Sequence, residues 1–313
     1  MEEIHFKHVT VLGGLGFIGS HLCRALLLDG YKVRVFSRQD SVPPLMEDIR
    51  SQLEIVIGDI TCPEDVLGAI ENTDVVIHLV HTTSPGSSMT DPFYDICSNV
   101  AATAQWASCF DKTNVRRIVY VSSGGTVYGI PQDNKISESH PTDPICSYGI
   151  TKLAIEKYFS MYALMHGIEN FTIRPSNIYG EGQRLDKGQG VIGTLASRAL
   201  RGESLEVWGS GEVLRDYIFV DDMISAILSI LRYRGTSRTF NIGSGEGHSV
   251  LDILDSLRHQ LGTIPEVIHK SARGFDVPVN ILDSTLLQRE TGWRPCVSLD
   301  EGIGRVIFGM KNN

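Results

Sequence analysis

The amino-acid sequence predicts an α/β protein built on a doubly wound parallel sheet, with a smaller, intertwined C-terminal lobe. Three observations carry this prediction. Strand-like runs recur at Val9–Leu12, Lys32–Phe36, Leu53–Ile57, Val75–Leu79, Arg117–Val121 and Phe171–Arg174. Helical patterns lie between most of them, and such alternation implies parallel strands joined by crossover helices. A glycine turn follows the first strand at once and opens a helix, the order that a dinucleotide-binding turn requires.

That turn reads Gly13-Gly14-Leu15-Gly16-Phe17-Ile18-Gly19, and the helical pattern Ser20–Leu28 follows, closed by Asp29-Gly30. Its glycines allow a tight bend and close approach of backbone to a pyrophosphate. The free N–H groups of the helix start then face the anion. The spacing is Gly-x-x-Gly-x-x-Gly rather than Gly-x-Gly-x-x-Gly. Asp59, His78–Ser84, Ser122–Thr126 and Asn177 each follow a predicted strand. In a sheet of this kind ligands bind at the carboxyl ends of strands, so these segments are expected to converge on one crevice. Residues 1–175 read as the dinucleotide-binding domain. From residue 176 to 313, glycine-rich loops alternate with short helices and isolated strands. This reads as a mainly substrate-binding lobe that exchanges chain with the first.

Tyr148 and Lys152 open a helical stretch, Tyr148 to His166, four residues apart and so on one face. A free tyrosine has a pKa near 10, too high for a base at neutral pH. A fixed cation beside it favours phenolate. The pair is thus suited to moving the proton of a hydroxyl.

Composition narrows the classes. The 313 residues suffice for a large core, in one or two domains. The net charge of −9 argues against a nucleic-acid partner. No apolar run reaches membrane-spanning length, and Met1-Glu2-Glu3 opens no signal peptide. Six scattered cysteines without a C-x-x-C pair point to reduced thiols in a cytoplasmic protein, and the histidines show no metal-ligand spacing.

Together these features resemble the extended short-chain dehydrogenase/reductase family, in particular its nucleotide-sugar epimerases and reductases. The resemblance covers nearly the whole chain. It rests further on Gly58-Asp59-Ile60, His78-Leu79, Asn99-Val100 and Ser122-Ser123-Gly124-Gly125-Thr126-Val127-Tyr128-Gly129. Arg174 to Gly180, Arg215 to Asp222 and Phe240 to Gly245 complete it. The resemblance implies a Rossmann-type fold, a homodimer and a Ser/Thr–Tyr–Lys trio. In that trio Tyr148 is the acid/base, and Lys152 lowers its pKa and binds the nicotinamide ribose. Ser123 is the third member, with Ser122 and Thr126 as alternatives. The resemblance places Asp59 and Ile60 near adenine and Leu79 and His81 near nicotinamide, with Asn99 buttressing the centre. It also implies that Asn177, Val191, Arg215 and Arg273 hold a nucleotide-diphosphate sugar, with Arg184 a weaker candidate. The helices near Asp91–Phe110 and Tyr148–His166 would pack across the two-fold axis.

Two departures from the family pattern bear on function. NAD-specific members usually end the second strand with a carboxylate. Here Ser37-Arg38 stand there, which favours the 2′-phosphate of NADP, or dual use of NAD and NADP. The usual Ala-Ala after His-Leu is Val80-His81. The expected activity is that of a nucleotide-sugar 4-epimerase, resembling UDP-glucose 4-epimerases. A 4-keto-6-deoxy nucleotide-sugar reductase using NADPH is the alternative. A non-catalytic dinucleotide-binding protein is disfavoured by the intact Tyr148–Lys152 pair.

Overall fold

A computed structural model describes residues 6–185, 190–271 and 277–312. The chain divides into two compact units. The first comprises Met1–Gly129, Pro141–Arg174 and Thr236–Phe240. It begins with β1 (His8–Leu12), α1 (Phe17–Leu28), β2 (Lys32–Ser37), β3 (Leu53–Ile57), α2 (Pro63–Ala69) and β4 (Val75–His78). Two short helices, α3 (Pro85–Thr90) and α4 (Pro92–Asp95), lead into a π-helical segment, Ile96–Ala101, and α5 (Ala102–Ala107). Then come β5 (Arg117–Val121), the long α6 (Ser147–His166) and β6 (Glu169–Pro175).

The strands order as β3-β2-β1-β4-β5-β6, and a later strand, Thr239–Ile242, completes a seven-stranded sheet beside β6. Thr239 and Phe240 of that strand belong to this unit, and Thr172 N–H bonds the carbonyl of Arg238 alongside. Strands β1 to β6 pair in parallel. The order reverses between β1 and β4, so the crevice of a doubly wound sheet opens at their carboxyl ends. Both strands are fully buried from Val9 and Val75 onward, as strands covered by helices on both faces must be. Beneath this end of the sheet lies an aromatic core. His78, Trp106, Tyr120 and Phe159 pack at ring separations of 5.4–5.9 Å, and all four are essentially inaccessible.

The second unit comprises Ile130–His140, Pro175–Gly235 and Asn241–Asn313. Its strands form two-stranded pairs: β7 (Asn177–Tyr179) with β10 (Tyr217–Phe219), β8 (Leu205–Trp208) with β12 (Val267–Lys270), and β9 (Leu214–Arg215) with β13 (Val279–Asn280). The strand Thr239–Ile242 is β11 in this order. The helices are α7 (Val191–Leu200), α8 (Val220–Arg232), α9 (Val250–Leu261), α10 (Thr285–Thr291) and α11 (Leu299–Asn312). Four of them exceed the short helices that the sequence pattern suggested. Asp216 pins this unit together. Its buried carboxylate accepts hydrogen bonds from the backbone of Ser244, Gly245 and Leu282 and from the Ser244 hydroxyl, at 2.8–3.2 Å. Asp222 likewise accepts the N–H groups of Cys296 and Val297. Two acidic residues of the motif Arg215–Asp222 therefore serve the fold. Among the described residues no helix is long and apolar enough to cross a membrane.

Candidate active site

The glycine turn is built as the sequence requires, with one difference. Helix α1 begins at Phe17, three residues earlier than its apolar pattern suggested. Gly16 is its N-cap and provides no side-chain cap, so the first-turn N–H groups of Phe17, Ile18 and Gly19 carry no capping side chain. Gly13 has φ +89°, a left-handed conformation. A Cβ on Gly19 would stand 2.4 Å from the Gly13 carbonyl oxygen and 2.6 Å from the Gly14 Cα. Only glycine lets the helix start approach the turn this closely. This cradle fits a dinucleotide pyrophosphate.

At the end of β2, Ser37 is half-buried and Arg38 follows on an exposed segment. Asp59 accepts hydrogen bonds from both the hydroxyl and the N–H of Thr61. Those bonds, with the positive charge of Arg38 nearby, hold its carboxyl below the usual range. Ile60 is buried. The N–H of Leu79 bonds the carbonyl of Leu12, which fixes the start of the loop after β4 against the glycine turn.

Tyr148 occupies the first turn of α6 and Lys152 the second. Lys152 is buried; its ammonium donates to the carbonyl of Val121 at 2.8 Å and lies 5.6 Å from the Tyr148 ring centre. This bond ties α6 to the carboxyl end of β5. Gly149 reinforces it, since a Cβ there would come within 2.8 Å of the Thr126 carbonyl oxygen. The turn that carries Ser123 and Thr126 is thus packed against the start of α6. Ser123 is half-buried, and its hydroxyl makes no side-chain hydrogen bond among the described residues. The Thr126 hydroxyl is buried without a partner among them. Ser122 is committed elsewhere: its hydroxyl donates to Glu156.

Burial shifts both members of the pair. It pushes the Lys152 ammonium down to about 7, against the opposing charges of Glu156 and Asp95. It pushes the Tyr148 phenol above its ordinary value, with Cys146 and Asp95 acting in the same direction. In this state desolvation therefore outweighs the help that the nearby cation was expected to give the phenolate. The Tyr148 hydroxyl has no hydrogen-bond partner among the described residues.

His81 packs edge-on against the Tyr148 ring, with centres 4.5 Å apart. Its side chain is 6% exposed. Burial and the charge of Lys152 push its imidazole down to about 4, so it is neutral near pH 7. Asn99, on the π-helical segment, holds the same loop. Its carbonyl accepts from Thr82 N–H, and its amide donates to the Thr82 hydroxyl and to Asp95, at 2.9–3.0 Å.

Several residues near the centre escaped the sequence reading. Asp95 gathers the hydroxyls of Thr83, Ser147 and Thr151. Glu156, one turn beyond Lys152, holds Arg174 through two hydrogen bonds, at 3.0 and 2.6 Å, and Arg174 reaches the Tyr128 hydroxyl at 3.0 Å. The only sequence signal for these was helical spacing, Asp95 to Asn99 and Lys152 to Glu156.

The other candidates lie in the second unit. Asn177 heads β7, where its amide donates to the carbonyl of Asp216 at 2.9 Å. Val191 is the first residue of α7. Arg215 donates to the carbonyls of Leu214 and Val277. Arg273 lies outside the described residues.

Comparison with known proteins gives the family. Residues 9–243 match the NAD dependent epimerase/dehydratase family. The chain is 33% identical over 306 residues to a putative UDP-glucose 4-epimerase of Methanocaldococcus jannaschii, covering 97% of this chain and 99% of the other. It is also 33% identical over 315 residues to a dTDP-4-dehydro-6-deoxyglucose reductase of Escherichia coli, covering 97% of each. The crystal structure of a Thermotoga maritima UDP-glucose 4-epimerase with UDP-glucose superposes with a TM-score of 0.91, at 30% identity, over 97% of this chain and 99% of that one. The glycine cradle, the Tyr148–Lys152 helix and the match along three quarters of the sequence make this chain a member of the NAD dependent epimerase/dehydratase family.

Proposed function

We propose that the protein is a nucleotide-sugar 4-epimerase with Tyr148 as its acid/base. The observation that carries this reading is the Tyr148 hydroxyl. It has no partner among the described residues, yet its ring is fixed by His81 and by a helix that Lys152 ties to β5. The glycine cradle would hold the dinucleotide through Gly13, Gly16 and the N–H groups of Phe17, Ile18 and Gly19. Its nicotinamide supplies the hydride acceptor and donor at sugar C4. Tyr148 would take the proton of the C4 hydroxyl as the ketone forms and return it to the same oxygen when hydride is delivered to the opposite face of C4. Ser123 holds the same oxygen, and Lys152 keeps a positive charge beside the phenolate. Leu79 and Asn99 shape the nicotinamide side. Asn177, Val191, Arg215 and Arg273 would hold the nucleotide diphosphate in the substrate lobe. The similarity to UDP-glucose 4-epimerases supports a UDP-sugar.

The missing carboxylate after β2 supports NADP or dual use, with Ser37 and Arg38 taking the 2′-phosphate and Asp59 and Ile60 against adenine. A 4-keto-sugar reductase is the second reading, favoured by Arg38 and by the similarity to the Escherichia coli reductase. A homodimer is part of the proposal. Phe93, Ile96, Ile150 and Leu164 expose large apolar side chains along the helices proposed for the two-fold contact. The six free thiols support a reducing, cytoplasmic setting.

One experiment tests the central claim. The purified protein and its Tyr148→Phe variant are incubated with UDP-, dTDP- and GDP-sugars, following both isomer formation and NAD(P)H absorbance. Isomerisation without net cofactor change, lost in the variant, is expected. Stoichiometric NADPH consumption by a 4-keto sugar would establish the reductase instead. Turnover in Tyr148→Phe at the wild-type rate would sink the mechanism. A 2′-phosphate on the cofactor released from the protein identifies NADP.

A further inference from the structure

Asp95 is an ionisable side chain with no exposure at all. A buried carboxylate persists only when donors replace the water it loses. Here they come from three directions. The Thr83 hydroxyl, in the loop after β4, donates at 2.5 Å. The hydroxyls of Ser147 and Thr151, which flank Tyr148 on α6, donate at 2.7 and 3.1 Å. The Asn99 amide, four residues on, donates at 3.0 Å. His81 completes the ring of neighbours, with Nε2 3.4 Å from an Asp95 carboxylate oxygen and its ring edge-on to the phenol.

We propose that Asp95 is a positioning residue for Tyr148: it locks the loop after β4 to the first turns of α6, and through His81 and its own charge it sets where the phenol stands and how readily it ionises. The inference rests on Tyr148 being the acid/base.

The arrangement explains why this site needs a carboxylate rather than an amide. Donors from Thr83, Ser147 and Thr151 converge on its two oxygens, whereas an asparagine offers one acceptor oxygen. Burial would raise the Asp95 carboxyl, but the neighbouring His81 and the Thr83 and Ser147 hydroxyls bring it down to about 2, so it is charged throughout the working range. The titratable groups around it are His81 on the loop, Tyr120 on β5, and Tyr148 and Lys152 on α6. Cys146 also faces Tyr148, and Glu156 faces Lys152. The negative charge of Asp95 disfavours phenolate and favours ammonium, so it raises both Tyr148 and Lys152. Its removal must lower both.

Asp95→Asn is the test, assayed as UDP-galactose to UDP-glucose conversion across pH. The acid limb of kcat/KM is expected to move to lower pH by about one unit. The kcat is expected to fall by about tenfold or more with KM little changed, because the phenol is misplaced while binding groups remain. A purely structural role would lower the amount of folded enzyme without moving the limb. Ser147→Ala and Thr151→Val remove single donors and keep the charge. They should lower kcat and leave the limb in place, and they decide the matter if Asp95→Asn does not fold. A folded Asp95→Asn variant with an unmoved limb, or Ser147→Ala and Thr151→Val with wild-type kcat, overturns the proposal. Tyr148→Phe run alongside separates the two levels: an active Tyr148→Phe refutes the acid/base reading itself. An inactive one beside an unmoved Asp95→Asn limb refutes only the role of Asp95.

Discussion

Replacing Glu156 by Gln isolates one charge in the interior of the first unit. The two side chains have nearly the same shape, so packing is kept. What changes is the environment of Arg174, whose side chain is only 6% exposed and whose guanidinium meets Glu156 through two hydrogen bonds. Glutamine offers one acceptor in place of two and no countercharge. Removing one partner of a buried ion pair costs about 3–5 kcal/mol, because the other charge stays behind without compensation. The Ser122 hydroxyl, which also donates to Glu156, adds to the lower end of that range rather than relieving it. For a protein of this size the loss corresponds to roughly 5–8 °C in melting temperature. Urea unfolding followed by far-ultraviolet circular dichroism measures it directly. A loss under about 1 kcal/mol would refute the reasoning, since it would mean that water reaches Arg174. The double variant Glu156→Met, Arg174→Met supplies the internal check. With the Glu156–Arg174 pair removed as a whole, it should recover at least half of the lost stability.

Lys152 makes stability depend on pH. Its folded value of about 7 lies below the unfolded value of about 10.4, so between them the unfolded chain holds a proton that the folded one does not. Stability from this source therefore rises as pH goes from 7 to 10, by up to about 1.4 kcal/mol per unit. Ligand-free Lys152→Met should lack that rise in thermal melts, and equal slopes for both proteins would contradict the assignment. Gly19→Ala places a methyl against the Gly13 carbonyl oxygen; NAD(P)H affinity, read by fluorescence titration, should fall by about tenfold or more, and unchanged affinity would remove the cradle from the cofactor site. Light scattering after size exclusion is expected to give twice the 34.5 kDa chain mass. A stable monomer at micromolar concentration would refute the two-fold contact.

The parts of the site that were legible in the sequence are those written in short-range pattern. Gly16 and Gly19 are required by contacts with Gly13 and Gly14, within the same short turn. Tyr148 and Lys152 share a helix face by spacing alone. Asp95 was illegible because its donors come from Thr83, Ser147 and Thr151, 12, 52 and 56 positions away. No local rule links them. Glu156 and Arg174 stand on different elements, and a glutamate one turn past a lysine looks like a solvated pair until the fold buries it. The reading of Lys152 as a simple activator of Tyr148 missed desolvation, which depends on how completely the sheet and helices cover the pair. The motif Arg215–Asp222 was visible, but its two structural aspartates were not separable from a binding role without the backbone groups that Asp216 and Asp222 receive.

The division of the chain has a consequence for how the protein is made. Strand β6 ends at Pro175, yet the strand that covers its outer edge is not synthesised until residues 239–242. For the time needed to add more than sixty residues, a nascent chain leaving the ribosome carries a strand that is buried in the finished fold with one row of backbone N–H and C=O groups unpaired. A fragment ending near residue 175 never loses that edge. Expression of residues 1–175 alone thus invites aggregation, and only a chain extended past Phe240 closes the sheet.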